Sequence, residues 1–332
     1  MSATIDQTTT VTYKQAITRA LADAMEEDAR VCLFGEDVAA AGGVFKVTDG
    51  LHERFGERRV RDTPIAEQAI IGTAIGAGLS GLRPVAEIMF ADFAGVCFDG
   101  IANELAKYRY MTGGQAAMPV TVRLGNGAGG GFGAQHSQSV ENWFLNVPGL
   151  KMVAPATPAD AYGLLRAAIR DPDPVLYFEH KNLYGARGEL AADPEIPPIG
   201  KAAVVRAGTD VTLVATQLMR LRAEEAAELL AREGTSVELI DPRTIAPLDV
   251  ETIAASLART NRLVVAQECS HAGSWGASLV SSLVAEHFES LDAPPLVVSG
   301  EETPIPYATP LEALWIPSVE RIADGVRRAL AS

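Results

Sequence analysis

The stretch from Asp62 to Gly95 constrains the fold of this chain more than any other segment. It predicts a turn, then a helix rich in glycine and alanine, then a short buried strand over Val85–Phe90: DTPIAEQAIIGTAIGAGLSGLRPVAEIMFADFAG. Glu67 is the only charged residue between Asp62 and Arg83. Burying a carboxylate without a partner is costly. Glu67 is therefore either a helix-end carboxylate favoured by the helix dipole or a buried acid with a specific partner.

The glycines of this predicted helix lower its stability, so their presence needs an explanation. Each glycine inside a helix costs about 1 kcal/mol relative to alanine, and this segment carries Gly72, Gly76, Gly78 and Gly81. The close approach of another helix or another chain is the simplest explanation. We therefore expect this helix to pack tightly against a neighbour.

Buried strands alternate with helices along the whole chain. The first helix is predicted to be capped by Thr12 with Gln15, and to bury Ala16, Ile17, Ala20, Leu21, Ala24 and Met25. Another helix is predicted from about Phe93 to Tyr108, and one more begins after Thr157-Pro158. The alternation predicts an α/β protein with parallel or mostly parallel sheets and helices on both faces.

The chain length of 332 residues suits two domains. A stretch with three prolines and mixed charge, residues 186–200, is the best candidate for a linker. We therefore predict one domain over residues 1–185 and a second over residues 201–332.

The composition of the chain indicates which classes of partner and which cellular compartment to expect. The net charge of −14 disfavours nucleic acid and anionic membrane surfaces as partners. No apolar run is long enough to span a membrane, and the N-terminal segment lacks the pattern of a signal peptide. Three separated cysteines indicate reduced thiols. We expect a cytoplasmic protein with neither a membrane nor a nucleic acid as partner, and an anionic cofactor would need a local cation, a metal or helix N-termini.

A glycine-rich loop follows the predicted strand that ends near Leu124. It contains the spacing Gly125-x-Gly127-x-x-Gly130, a formal dinucleotide fingerprint. No helix is predicted to begin there, so a nicotinamide dehydrogenase is only a rival interpretation. His136 follows the loop, and the residues alone leave open whether it is structural or catalytic.

Seven segments together carry a resemblance to one family. The segments are Gly35-Glu36-Asp37, DTPIAE at 62–67, GLRP at 81–84, EIMFADF at 87–93, AQHSQ at 134–138, PGLK at 148–151 and PYATPLE at 306–312. With these segments the chain resembles the beta subunits of thiamine-diphosphate-dependent 2-oxo acid dehydrogenases, including their acetoin-cleaving relatives. The EIMFADF and PYATPLE forms look most similar to acetoin dehydrogenase beta chains.

The resemblance implies a pyrimidine-binding thiamine-diphosphate domain followed by a transketolase-like C-terminal domain. It implies that Glu67 hydrogen-bonds the aminopyrimidine of the cofactor, that Phe93 packs on that ring and that Met89 lies close by. His136 would aid acyl transfer to lipoamide, and Glu36 would join an acidic hydrogen-bond path between paired active sites.

The resemblance also implies partners. The chain lacks the Gly-Asp-Gly…Asn motif that holds magnesium and diphosphate in thiamine enzymes, so an alpha subunit would supply it within an alpha2beta2 tetramer. A lipoyl-bearing acyltransferase core would accept the acyl group, and the small-molecule substrate would be pyruvate, a branched-chain 2-oxo acid or acetoin. A potassium site of some relatives would map near Val120, Ala168, Asp171 and Asp173.

Two further rivals stay open. One is a transketolase-like half enzyme that acts on sugar phosphates, and the other is a noncatalytic scaffold subunit. The sequence shows no cluster of arginine and histidine suited to sugar phosphates, and it retains both Glu67 and His136.

Overall fold

The computed structural model describes residues 8–332, which form two compact units. The first unit contains residues up to Gly125 together with Asn146–Ile199. The second contains Asn126–Leu145 together with Gly200–Ser332. Each unit is an α/β structure with its own sheet, as the alternation of strands and helices predicts.

In the first unit the strands and α-helices follow one another in regular alternation. They are β1 (Thr8–Thr12), α1 (Tyr13–Glu27), β2 (Val31–Gly35), α2 (Leu51–Phe55), β3 (Val60–Asp62), α3 (Glu67–Leu79), β4 (Arg83–Ile88), α4 (Tyr108–Met111), β5 (Thr121–Asn126), β6 (Lys151–Val153), α5 (Pro158–Arg170), β7 (Val175–His180) and β8 (Arg187–Ala191).

Six of these strands form one sheet in the order β6-β7-β5-β4-β2-β3. Strand β2 runs parallel to both β3 and β4, and β4 runs parallel to β5. Strands β1 and β8 pair with each other as a separate antiparallel ribbon. Because the central strands are parallel, their carboxyl ends meet at one edge of the sheet, where α/β proteins place their ligands.

Helices α1 and α5 begin where the sequence predicts. The Thr12 side chain accepts from the backbone N–H of Gln15, whose own side chain accepts from the Thr12 N–H, so the predicted capping box is confirmed. Thr157 caps α5, with Pro158 at its first position. The predicted inner face of α1 is buried at each of its six positions: Ala16, Ile17, Ala20, Leu21, Ala24 and Met25.

The second unit repeats the α/β pattern. Its elements are β9 (Ala203–Arg206), β10 (Val211–Ala215), α6 (Gln217–Arg232), β11 (Val237–Asp241), β12 (Thr244–Ala246), α7 (Val250–Thr260), β13 (Leu263–Ala266), α8 (Trp275–His287), β14 (Leu296–Val298), α9 (Thr309–Trp315) and α10 (Val319–Ala331). Its sheet has the order β14-β13-β10-β11-β9, and only the edge strand β9 is antiparallel to its neighbour. The predicted fold class is confirmed.

The structure differs from the sequence prediction at several elements, and the strand predicted over Val85–Phe90 is β4, Arg83–Ile88. The predicted helix from Phe93 to Tyr108 is instead a 3-10 turn (Ala91–Gly95), a π-helical turn (Gly100–Leu105) and the short α4. A Cβ on Gly100 would lie 3.1 Å from a methyl carbon of Ile71, so tight packing against α3 overrides the helical pattern here. Residues 187–191, inside the predicted linker, form β8, and residues 126–145 belong to the second unit.

Candidate active site

Three neighbouring strands of the first unit end at the residues singled out by the sequence. Gly35, at the end of β2, lies opposite Asp62 of β3 and Glu87 of β4 in the parallel registers. Glu36 comes directly after β2, and Glu67 begins α3 after β3. Adjacent parallel strands therefore place these acids at one edge of the sheet.

Glu67 lies at a helix end and is also buried, but the partner expected for a buried acid is not found within the described chain. It is the first residue of α3, where the helix dipole favours a negative charge, and it is also buried, with 7% of its surface exposed. Among residues 8–332, no side chain or backbone N–H donates a hydrogen bond to its carboxylate. Because its oxygens accept no hydrogen bond from the described chain, they can accept one from a bound ligand or from another chain.

The surroundings of Glu67 are acidic and poorly solvated. Burial raises the pKa of Glu36 above its usual value, and the charges of Glu67, Asp37 and Glu87 raise it further. Burial, and then the Glu67 charge, raise the pKa of the Cys97 thiol to about 12. All the charges that act on Glu36 among the described residues are negative, so this cluster favours binding a proton or a hydrogen-bond donor.

Aromatic side chains follow β4 at the same sheet edge. Met89, Phe90 and Phe93 are each half-buried. The rings of Phe90 and Phe93 meet edge to face, with centroids 5.8 Å apart. The Lys181 ammonium lies 5.6 Å from the centroid of the Phe90 ring. Thus the two residues that the resemblance assigned to the cofactor ring, Met89 and Phe93, lie on the segment that leaves the sheet beside the acids.

Glycines let the strands approach each other closely beneath this site. A Cβ on Gly35 would lie 2.8 Å from the carbonyl oxygen of Glu87, and one on Gly125 would lie 2.6 Å from that of Met89. Real Cβ atoms do not come this close, so any side chain at either position would push β4 away from its neighbours.

The four residues predicted for potassium lie together in the first unit, but their oxygens have partners. Lys151 Nζ lies 2.7 Å from Asp171 Oδ1 and 3.3 Å from Asp173 Oδ2. Arg109 donates to Asp173 at 2.5 Å. The carbonyl oxygens of Val120 and Ala168 accept backbone N–H groups. A lysine and an arginine thus already balance the two carboxylates.

In the second unit, two carboxylates hold the glycine-rich loop. The backbone N–H of Ala128 donates to Glu268 Oε1 at 2.6 Å. Those of Gly129 and Gly131 donate to the two oxygens of Glu312 at 2.8 and 3.0 Å. These three amides are therefore not available to a pyrophosphate, which argues against the dinucleotide interpretation.

Glu268 and Glu312 are functional candidates that the sequence reasoning did not single out. Glu312 belongs to the PYATPLE segment, and Glu268 comes just after the buried strand β13, where an acid is a recognisable signal. Both are buried, at 7% and 1% exposure. Their partners lie more than 100 residues away, so no local pattern could reveal the contacts.

His136 lies on the same loop of the second unit. It is half-buried, and its backbone N–H donates to the carbonyl of Gly133 at 3.3 Å. Gly133 has a φ of 75°, a left-handed conformation that favours glycine. The catalytic role of His136 stays a prediction.

The remaining expectations concern cysteines, metals and membranes. All three cysteines are free, and Cys97 and Cys269 are buried. Within residues 8–332, no group of three or more histidine, cysteine or acidic side chains is arranged to hold a metal ion. No helix in that part of the chain is long and apolar enough to cross a membrane.

Comparisons with known proteins match both units to one fold family. The model of the "Transketolase, pyrimidine binding domain" matches residues 9–187, and that of the "Transketolase, C-terminal domain" matches residues 200–322. The chain is 48% identical over 329 residues to the 3-methyl-2-oxobutanoate dehydrogenase subunit beta of Mycobacterium tuberculosis, covering 99% of this chain and 94% of that protein.

A second relative and a solved structure extend the match. The beta subunit of acetoin:2,6-dichlorophenolindophenol oxidoreductase from Cupriavidus necator is 44% identical, with 96% of this chain and 97% of that protein covered. The structure of a split gene transketolase, an inactive beta4 tetramer, superposes with a TM-score of 0.79 at 25% identity, covering 97% and 98% of the two chains.

The chain belongs to the family of 2-oxo acid and acetoin dehydrogenase beta subunits. The resemblance in the seven sequence segments is thereby confirmed. Members of this transketolase-like family depend on thiamine diphosphate and form part of oxidoreductases, and a beta subunit implies an alpha partner.

We predict that Glu312→Ala loosens the glycine-rich loop. The substitution removes the acceptor of two backbone N–H groups, and hydrogen bonds to a charged group contribute about 1.5–3 kcal/mol each. Limited proteolysis between residues 126 and 140 should accelerate, and the melting temperature should fall.

Glu286→Ala is the matched control, because Glu286 is exposed on α8. It should behave as the wild type. Equal protease resistance of the loop in the Glu312→Ala variant and the wild type would show that the loop does not depend on this carboxylate.

Proposed function

We propose that this chain supplies the pyrimidine half of a thiamine-diphosphate site in a heterotetrameric 2-oxo acid or acetoin dehydrogenase, with Glu67 as the acid that activates the cofactor. One observation carries the proposal. Glu67 is buried at the carboxyl edge of a parallel sheet, accepts no hydrogen bond within the described chain, and lies among acids beside the Met89–Phe93 segment.

The residues present fit an aminopyrimidine ring. A partnerless buried carboxylate matches a ring nitrogen that carries a proton, and the half-buried Phe93 and Met89 suit the faces of a flat heterocycle. Thiamine diphosphate, when bound, supplies a thiazolium carbon acid and an amino group that can remove its proton. Glu67 would hold a hydrogen bond to the ring nitrogen, and Glu36 would supply or take up the exchanging proton.

The diphosphate end is proposed to belong to the alpha partner. This chain has a net charge of −14 and lacks the Gly-Asp-Gly…Asn motif. Magnesium would therefore be held mainly by the partner. Within residues 8–332 no side-chain cluster offers that ion a site.

Helix α3 carries the surface that we propose for the alpha partner. Its outward side is small and uncharged, with Ala69, Gly72, Thr73 and Gly76 all exposed. A Cβ at Gly72 or Gly76 would meet no atom within 4 Å, so nothing in this chain requires glycine at either position. Two helical glycines that cost stability without an internal reason support close packing against a second chain.

The second half of the proposed reaction uses His136. It would aid transfer of the acyl group to a lipoyl domain of an acyltransferase core. The relatives named above act on different substrates, a branched-chain 2-oxo acid and acetoin, at similar identity. The substrate class is thus a 2-oxo acid or acetoin, and a panel of pyruvate, 3-methyl-2-oxobutanoate and acetoin with the assembled enzyme decides among them.

The proposed potassium site competes with ion pairs inside the chain. The carboxylates of Asp171 and Asp173 form ion pairs with Lys151 and Arg109. These two side chains neutralise the negative charge that a bound potassium ion would otherwise neutralise. Replacing potassium by sodium in the buffer should leave the melting temperature unchanged if these side chains suffice, and a clear fall would restore the potassium site.

We predict that Glu67→Gln in the assembled enzyme removes turnover while leaving assembly intact. The amide keeps the shape but loses the carboxyl proton chemistry, so the rate of cofactor deprotonation should fall by about 100- to 10,000-fold. Hydrogen–deuterium exchange at the thiazolium carbon, followed by nuclear magnetic resonance, measures this step before any substrate binds.

Glu57→Gln provides the control, since Glu57 is exposed in the same unit. Its exchange rate should match that of the wild type. Near-normal exchange in the Glu67→Gln enzyme would refute the assigned role of Glu67.

We predict that Gly76→Leu blocks assembly without destabilising the isolated chain. Leucine gains about 1 kcal/mol of helix propensity over glycine, and the exposed position has room for it in this chain alone. In the complex the same side chain would fill the space of a close helix contact. Analytical ultracentrifugation with the alpha partner, beside thermal unfolding of the free chain, separates the two effects.

Ala258→Leu, at an exposed position of α7, tests whether any added leucine would do the same. Assembly of this control should be unaffected. If the Gly76→Leu chain assembles as well as the control, the α3 surface is not the interface.

A further inference from the structure

A buried ionic network lies beneath the acids of the candidate site. Arg123 of β5 is 2% exposed, and its guanidinium joins two carboxylates on the flanking strands. It donates to Glu179 of β7 through two nitrogens, at 2.5 and 2.9 Å, and to Glu87 of β4 through a third. The hydroxyl of Tyr184 donates to Glu179 at 2.9 Å.

The two carboxylates of the network are not equivalent. Glu179 is held by two guanidinium N–H groups and a phenol, so its negative charge is well compensated. Glu87 receives one donor from Arg123. Burial raises the pKa of Glu87, Arg123 opposes that rise, and Glu179 adds to it. Of the two carboxylates, Glu87 is therefore the one whose charge is less completely compensated by hydrogen-bond donors.

Glu87 is also the member of the network that reaches the candidate site. It lies opposite Gly35 in the parallel register, and the missing side chain of Gly35 lets the backbone before Glu36 touch it. The Glu87 charge acts on Glu36, which in turn is acted on by Glu67. Glu36 therefore feels the charges of both Glu87, which Arg123 holds, and Glu67.

The network has no room for a substrate or a cofactor. The cavity at its surface has a volume of about 10 Å³, lined by Glu87, Arg123, Glu179 and Tyr184 together with Phe45 and Met89. That volume suits about one water molecule. This cavity is therefore too small for a second ligand, and the network acts on the site through its charges.

We propose that Glu87, held by Arg123, is a positioning residue that sets the proton occupancy of Glu36, the acid beside Glu67. The proposal rests on the function proposed above for Glu67. The charged or titratable groups that face this series are Asp37 beside Glu36, Glu67 on α3, Arg123 on β5, Glu179 on β7 and Tyr184 after β7. Arg123 is the one cation among them, and it contacts Glu87 rather than Glu36.

The sign of the effect follows from charge. An ionised Glu87 makes it harder for Glu36 to lose its proton, so it holds the titration of Glu36 at higher pH. Removing that charge by Glu87→Gln should move the midpoint of Glu36 to lower pH, by about half a unit or more. Retaining it by Glu87→Asp should keep the midpoint near that of the wild type.

The test uses the assembled enzyme and two readouts. The first is the pH dependence of hydrogen–deuterium exchange at the cofactor carbon in the wild type and in the Glu87→Gln and Glu87→Asp variants. Glu179→Gln is the matched control, because it removes an equal charge from the same arginine without facing Glu36. It should lower the melting temperature comparably but shift the midpoint much less than Glu87→Gln does.

The second readout needs neither cofactor nor turnover, and it leaves the buried network intact. Infrared titration of the carboxyl groups in the Glu36→Gln variant should show the pKa of Glu87 falling relative to the wild type, because coupling between two titrating groups is reciprocal. This holds even if Glu87→Gln fails to fold. It also holds if Glu67 proves not to be the activating acid, so the two proposals fail separately.

Two results would overturn the proposal. One is a midpoint in Glu87→Gln that equals the wild-type value or the Glu179→Gln value. The other, decisive if Glu87→Gln does not fold, is an unchanged Glu87 titration in Glu36→Gln.

Discussion

The rest of the site depends on the carboxyl edge of the first sheet, because this edge gathers acids that are largely buried. Parallel pairing places Glu36, Glu67 and Glu87 at the ends of neighbouring strands, and close approach at Gly35 brings them within electrostatic reach. Like charges in a poorly solvated place repel each other. A hydrogen-bond donor from another molecule, bound at Glu67, would reduce this repulsion.

Buried carboxylates also stabilise a loop of the second unit. Glu268 and Glu312 accept the backbone N–H groups of the glycine-rich loop, so this segment of left-handed glycines is pinned at three amides. Specific hydrogen bonds therefore hold this glycine-rich loop in place. His136 follows that segment in the chain, and its backbone N–H donates to the carbonyl of Gly133.

How much the sequence could predict depended on whether a signal was local. Glu67 stood out because no other charge surrounded it, and the inner face of α1 stood out by its helical spacing; both are confirmed as buried. The pairing of Arg123 with Glu87 and Glu179 was invisible, since its partners are 36 and 56 residues away. The helix predicted after Phe93 was wrong for a similar reason. Packing against α3 favours a 3-10 turn and a π-helical turn there over a regular helix.

The most direct test of the account is a structure of this chain with its alpha partner and thiamine diphosphate bound. The account predicts a carboxyl oxygen of Glu67 within about 2.6–3.2 Å of a ring nitrogen of the aminopyrimidine, with Phe93 against the ring and the diphosphate held by the partner. A pyrimidine held by the partner alone, with Glu67 turned away from it, would contradict the central claim.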